Sequence, residues 1–209
     1  SLAALPVALA LKRRAGVGVI YDAHELETER AGWSPGIRRF ARFFERRLIR
    51  KCDHTFVVSD AIRDWYRNAY PGLAVTTVRN ISDTKPPSGD SPLRESLKIG
   101  ADTLVYTYCG AITRERGLEE LIDVFRELGS DYALVLVGEG PAVTELMARA
   151  DGAGNIYFHP AVPVEELITL MSGADVGIFV TSSPALSYRY CLPNKVFEYA
   201  AAKLPMLLG

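Results

Sequence analysis

Leu104-Val105-Tyr106-Thr107-Tyr108-Cys109-Gly110 leads through Ala111-Ile112-Thr113-Arg114-Glu115-Arg116-Gly117 into a helical pattern over Leu118 to Leu128. A run of apolar and β-branched residues, a glycine turn and an amphipathic helix make one parallel βα unit. The same alternation continues in both directions. Strands are expected at Val17 to Asp22, Thr55 to Ser59, Val75 to Arg79, Leu104 to Cys109, Ala133 to Val137, Ile156 to Phe158, Val176 to Val180 and Met206 to Leu208. Helices are expected at Ile37 to Lys51, Ala61 to Ala69, Leu118 to Leu128, Ala142 to Ala150, Val164 to Met171 and Asn194 to Ala202. Asp60, Pro141 and Pro193 supply start signals for three of them. The fold class that follows is α/β with parallel sheets.

Between Asn80 and Gly100 the chain turns polar and rich in Pro and Ser, which is linker composition. The expected organisation is therefore one domain over 1–82, a linker over 83–100 and a second domain over 101–209. Two such lobes usually hold their ligand in the cleft between them.

The 209 residues are 48% hydrophobic and 23% charged, enough for one ordinary core or two small ones. A formal net charge of -1 gives no sign of a nucleic-acid partner. Cys52, Cys109 and Cys191 lack zinc-site or disulfide spacing, which fits a reducing, cytoplasmic setting. The apolar stretch Leu2 to Leu11 is half a membrane span and precedes its basic residues rather than following them, so it is expected to be a buried helix. With no initial Met and an apolar run ending at Gly209, both ends look cut.

In open parallel sheets ligands bind beyond the carboxyl ends of the strands, so the residues after each strand are the first candidates. Gly138 and Gly140, in Val137-Gly138-Glu139-Gly140-Pro141, form a turn whose backbone N–H groups suit an anion, and they are equally an ordinary βα turn. Gly110, Arg114 and Arg116 put a glycine and two guanidinium groups after a strand, where bidentate donors suit phosphate. Pairing of those arginines with Glu119 and Glu120 explains the same cluster without a ligand. Asn194, Lys195 and Glu198 open the last helix, where an N-terminus would cradle diphosphate and a glutamate accept from ribose hydroxyls; a capped surface helix is the alternative. His24, in Asp22-Ala23-His24-Glu25, follows a strand and would position a hydroxyl or stabilise developing charge; a backbone-bonded structural histidine is the alternative. His54 and His159 have weaker claims, His159 as a contact for a base.

The ordered series Tyr108-Cys109-Gly110, Arg116-Gly117-Leu118-Glu119-Glu120-Leu121, Leu136-Val137-Gly138-Glu139-Gly140-Pro141, Asn155-Ile156-Tyr157-Phe158, Glu165-Glu166-Leu167, Ala174-Asp175-Val176 and Pro193-Asn194-Lys195 with Glu198-Tyr199 resembles the donor domain of glycosyltransferase family 4. It covers Leu104 to Gly209 well, and the first segment more loosely through Tyr21 to Glu25 and Thr55 to Ser59. The resemblance implies a GT-B fold of two Rossmann-like parallel-sheet domains, the N-terminal one incomplete. It implies transfer of a sugar from a nucleotide-diphosphate donor to a glycan, lipid-linked or small-molecule acceptor, with retention and without a metal or other cofactor. Arg116 would contact the diphosphate and Glu198 the ribose, Asn194 and Lys195 would lie over the phosphates, and Gly138 and Gly140 would let the backbone approach the nucleotide. The chain departs from the family where a second glutamate upstream of Glu198 is replaced by Tyr190, and where an arginine after Gly110 is replaced by Ala111. A GT-B-like sugar-nucleotide epimerase and a non-catalytic nucleotide-sugar binder stay open as alternatives.

The helix Ile37 to Lys51 carries Ile37, Phe40, Ala41, Phe44 and Leu48 on one face and Arg38, Arg39, Arg42, Arg46, Arg47, Arg50 and Lys51 elsewhere. Core packing with a basic outer face is one reading. Peripheral attachment to anionic lipid at the inner face of a membrane is the other.

Overall fold

The computed structural model describes residues 2–81 and 85–209, so Ser82, Asp83 and Thr84 of the expected linker region lie outside the described residues. In chain order the elements are α1 (Leu5–Ala15), β1 (Ile20–Ala23), α2 (Pro35–Leu48), β2 (His54–Val57), α3 (Asp60–Ala69), β3 (Val75–Thr77), α4 (Leu93–Leu97), β4 (Leu104–Cys109), α5 (Leu118–Leu128), β5 (Tyr132–Val137), α6 (Val143–Arg149), β6 (Ile156–His159), α7 (Val164–Met171), β7 (Val176–Phe179), α8 (Leu186–Arg189), α9 (Asn194–Ala201) and β8 (Met206–Leu208). Two parallel sheets result, β1-β2-β3 and β6-β5-β4-β7-β8. The chain divides into two compact units, Ser1–Asn80 with Pro184–Leu192, and Ile81–Ser183 with Pro193–Gly209. Residues 184–192, expected within the second domain, thus belong to the first unit.

In the first unit Ser59 shows how side chains fix an element. Its hydroxyl caps α3 by accepting from the Ile62 N–H at 3.2 Å, and it donates to the Tyr190 carbonyl at 2.7 Å, tying the returning segment to the helix start. The helix expected to be buried at Leu2 to Leu11 is two-faced instead. Of α1 only Leu5 and Leu9 are buried, whereas Val7 and Leu11 are 65% and 55% exposed.

The apolar side of α2 is also not where helical spacing put it. Ile37, Phe40, Phe43 and Phe44 are exposed, and the helix packs inward through Ala41 and Glu45. A small residue and a carboxyl occupy the core side because Tyr66 and Tyr70 donate hydroxyls to the two Glu45 oxygens, at 2.9 and 2.7 Å. Arg42, from the same helix, pairs bidentately with buried Glu29 at 2.6 Å on both bonds.

Burial raises the Glu45 carboxyl above its ordinary 4.5, against the opposing pull of the Tyr70 and Tyr66 hydrogen bonds. The folded chain then holds this proton to higher pH than the unfolded chain does. Between the two pKa values the unfolded state binds fewer protons, so this group makes stability fall as pH rises from 4.5 through the folded value. Glu45→Gln is expected to flatten that slope; urea unfolding of both proteins at several pH values between pH ~4.5 and ~8 measures it, and an unchanged slope would assign it to other groups.

The second unit is a five-stranded sheet with β4 at its centre, paired along its whole length with β5. β5 is buried from Ala133 to Val137 and β4 at Val105 and from Thr107 to Cys109, which accounts for their apolar composition. The end of the expected linker is part of this core: α4 forms within it, Leu93 is fully buried and Ile99 nearly so. Arg94 fixes α4 by donating to the carbonyls of Gly173, Gly100 and Thr103 and to Asp175 Oδ2 at 2.6–3.0 Å, while that same oxygen accepts from the Val105 N–H. Leu93→Ala is expected to cost about 2–5 kcal/mol of stability in denaturant titration. A cost below about 1 kcal/mol would return this residue to the linker. No helix among the described residues is long and apolar enough to cross a membrane.

Candidate functional site

The second sheet runs outward from β4 to β5 and β6, then resumes on the other side of β4 with β7 and β8. The order therefore reverses between β4 and β7, where open parallel sheets leave a crevice at their carboxyl ends. β4 and β7 pair only at Tyr106 with Val176 and Thr107 with Gly177. Beyond that, Tyr199 from α9 takes over. Its hydroxyl accepts from the Cys109 N–H at 3.2 Å and donates to the Ile178 carbonyl at 2.9 Å. Burial pushes this phenol far above its usual range, so it keeps the proton it donates. The ring lies on Gly177, where a Cβ would overlap it, so only glycine fits there.

Around this junction several of the candidates come together. Lys195 lies across Gly110, whose φ is +128°; a Cβ built there would meet the ammonium nitrogen at 2.5 Å. That nitrogen stands 5.3 Å from the Tyr108 ring centre and 5.7 Å from that of Phe179, a placement suited to cation–π attraction. Glu198, one turn further along α9, accepts from the Cys109 thiol at 3.4 Å. Asn194 is the exposed first residue of that helix. A lysine, a carboxylate and a helix N-terminus thus share the carboxyl ends of β4 and β7, an arrangement whose charges and donors suit an anion beside hydroxyl groups.

The glycine pair has a second task besides nearness to a ligand. A Cβ on Gly138 would overlap the Gly110 carbonyl oxygen, and one on Gly140 would overlap that of Ile112. The Gly138 N–H donates to the His159 carbonyl and the Gly110 N–H to that of Val137, so neither is turned toward an anion. These glycines let the loops after β4 and β5 touch backbone to backbone.

Arg114 is turned to α6, where Nε and Nη2 donate to Glu145 Oε2 at 3.0 and 2.9 Å on an exposed surface. The pairing with Glu119 or Glu120 expected as one explanation is not what holds this arginine, and it stands apart from the Lys195 and Glu198 cluster. Arg116 is half-buried and closes the short turn Arg114–Arg116, directly before Gly117 at φ +63° and the start of α5. His24 lies in the first unit, exposed, with its Nε2 3.0 Å from Asp22 Oδ2 rather than bonded to backbone. His54 bonds Thr76 within that unit's sheet, and His159 ends β6 with Nδ1 2.8 Å from the Pro160 carbonyl oxygen. Tyr190 is in the first unit as well. Asn155 has a structural role: its amide donates to the carbonyls of Phe125, Gly129 and Tyr132, joining the end of α5 to the start of β5.

Cys109, Tyr199, Tyr108 and Gly177 were not among the expected site residues. The alternation of β4 put Cys109 and Tyr108 at a strand end, but their partners lie about ninety residues away.

Known proteins share both the fold and the sequence pattern. The structure of Anabaena HepE in complex with UDP and glucose superposes with a TM-score of 0.75 at 18% identity, covering 100% of this chain and 57% of that one. Sucrose-phosphate synthase from Thermosynechococcus elongatus gives a TM-score of 0.72 at 17% identity, over 95% of this chain and 52% of that one. The fold is GT-B, the two-sheet architecture of glycosyltransferases. The pattern of glycosyl transferases group 1 matches residues 103–208, and that of a glycosyl transferase 4-like domain matches residues 1–80. The chain belongs to the group 1 glycosyltransferase family. The alpha-maltose-1-phosphate synthase of Mycolicibacterium smegmatis is 25% identical over 182 residues, 77% of this chain and 47% of the synthase. The chain thus spans about half the length of such relatives.

Proposed function

We propose that this chain supplies the donor site of a glycosyltransferase that moves a sugar from a nucleoside-diphosphate sugar to an acceptor hydroxyl. The observation that carries this is the grouping of Lys195, Glu198 and the α9 N-terminus at the reversal of strand order. In this reading Lys195 and Asn194 face the diphosphate with Arg116, and Glu198 accepts from the ribose hydroxyls. Positive charge and a helix N-terminus at the leaving diphosphate stabilise it as it departs, which makes a metal-independent transfer the mechanism to test; retention of configuration is what the family resemblance adds to it. His24 beside Asp22 is the candidate for handling the acceptor hydroxyl proton. Uridine is the first base to try, since HepE was solved with UDP.

Calorimetric titration with UDP, GDP and ADP tests this. Saturable binding of one of them, weakened in Arg116→Ala and in Glu198→Ala, supports the donor site and names the base. Absence of binding to the folded protein at its full natural length sinks it. Labelled sugar appearing on water or an epimer, and never on an acceptor, would favour the epimerase alternative.

A second reading concerns α2. Ile37, Phe40, Phe43 and Phe44 are exposed beside Arg39, Arg46, Arg47 and Arg50. Cationic and aromatic side chains together suit an anionic bilayer surface, the setting of a lipid-linked acceptor on the cytoplasmic side. Sedimentation with phosphatidylglycerol vesicles but not phosphatidylcholine vesicles, lost on Phe40→Ser with Phe44→Ser, is the expected result. Equal sedimentation with both lipids, or with neither, would remove this reading.

A further inference from the structure

We infer that Cys109 is a positioning residue, one that aims the Glu198 carboxylate at the donor ribose. The inference rests on the donor-site reading above. Cys109 is the last residue of β4 and is 2% exposed. It makes two contacts with consecutive residues of α9: its thiol donates to Glu198 Oε2 at 3.4 Å, and its backbone N–H donates to the Tyr199 hydroxyl at 3.2 Å. The second contact sets the height of the helix against the strand. The first selects one orientation of a glutamate side chain that otherwise turns about three bonds.

The thiol suits this task in a way that a charged donor does not. Burial, with Glu198 close by, pushes it up to about 12, so at neutral pH it stays protonated and donates. It is a weak donor with one proton to give, so it leaves most of the carboxylate's lone pairs open. A lysine or arginine in its place would compete with the ribose hydroxyls for the same oxygens. The thiol's contact is also independent of the phosphates, which distinguishes its effect from that of Lys195.

The test uses the protein at its full natural length and compares UDP with 2′,3′-dideoxy-UDP, or the matching pair for GDP or ADP if titration selects that base. Glu198→Ala should weaken the ribonucleotide and leave the dideoxy analogue unchanged. Cys109→Ala should raise the dissociation constant for UDP by about 3- to 10-fold, leave that for the dideoxy analogue unchanged, and be restored by Cys109→Ser. If Glu198→Ala discriminates between the two ligands and Cys109→Ala weakens both alike or neither, the role of Cys109 is overturned and the donor site stands. If Glu198→Ala itself does not discriminate, Glu198 does not bind ribose and the role of Cys109 falls with it, while Lys195 and the α9 N-terminus are left to carry the phosphates alone.

Discussion

A Gly138→Ala protein is expected to lose about 2–6 kcal/mol of stability, a large part of what holds an ordinary domain together. Two penalties add at this position. The backbone φ of +144° is one that side-chain-bearing residues rarely adopt, and the new methyl would overlap the Gly110 carbonyl oxygen. That oxygen belongs to backbone already fixed by the Gly110 N–H bond to Val137 and the Ile112 N–H bond to Glu139, so it has little room to retreat. Denaturant unfolding followed by circular dichroism measures the loss. Because Gly138 touches the loop after β4, nucleotide binding should fall with it even at temperatures where the protein stays folded. A loss under about 1 kcal/mol would mean that the two loops can separate freely, and that their contact does not hold the site.

Glu198→Ala is expected to weaken nucleoside-diphosphate binding by about 10- to 100-fold, the effect of losing charged hydrogen bonds worth about 1.5–3 kcal/mol. The loss should appear in the dissociation constant with little change in unfolding free energy, since the side chain is only partly buried and the Cys109 thiol that donates to it is a weak donor. Calorimetry beside a thermal melt separates the two quantities. A variant that binds normally would remove Glu198 from the site and leave Lys195 and the helix terminus to carry the phosphates alone. One that fails to fold would show the Cys109 contact to be structural.

How far the sequence could be followed depended on the kind of residue involved. β4, α5, α7 and β8 have the bounds expected from it, because each is a regular apolar or periodic run between clear breakers. The parallel α/β class followed from their alternation. α4 was hidden, since five residues in a Pro and Ser stretch make no periodic signal and its anchors, Gly173 and Asp175, are some eighty residues away. The inward side of α2 was misjudged for a related reason. Phe40 and Phe44 outrank Ala41 and Glu45 on any hydrophobic scale, and only the hydroxyls of Tyr66 and Tyr70 make a carboxyl tolerable in the core. At the site, glycines and charges at strand ends were legible as positions. What joins them was not: that Lys195 meets Gly110, that Arg114 goes to Glu145 and that Cys109 meets Glu198 are facts of tertiary contact.

The return of residues 184–192 to the first unit has a consequence for the order in which the protein is made. The hydroxyl of Ser59 waits for the carbonyl of Tyr190, 131 residues later in the chain. At about 5–20 residues per second, the ribosome delivers that partner on the order of ten seconds after the strand and helix it closes. During that interval the nascent chain carries residues 1–80 of the first unit without residues 184–192, while residues 81–183 of the second unit emerge. The two units are therefore not synthesised one after the other, and arrested nascent chains ending before and after residue 192 should differ in how strongly the first unit resists protease.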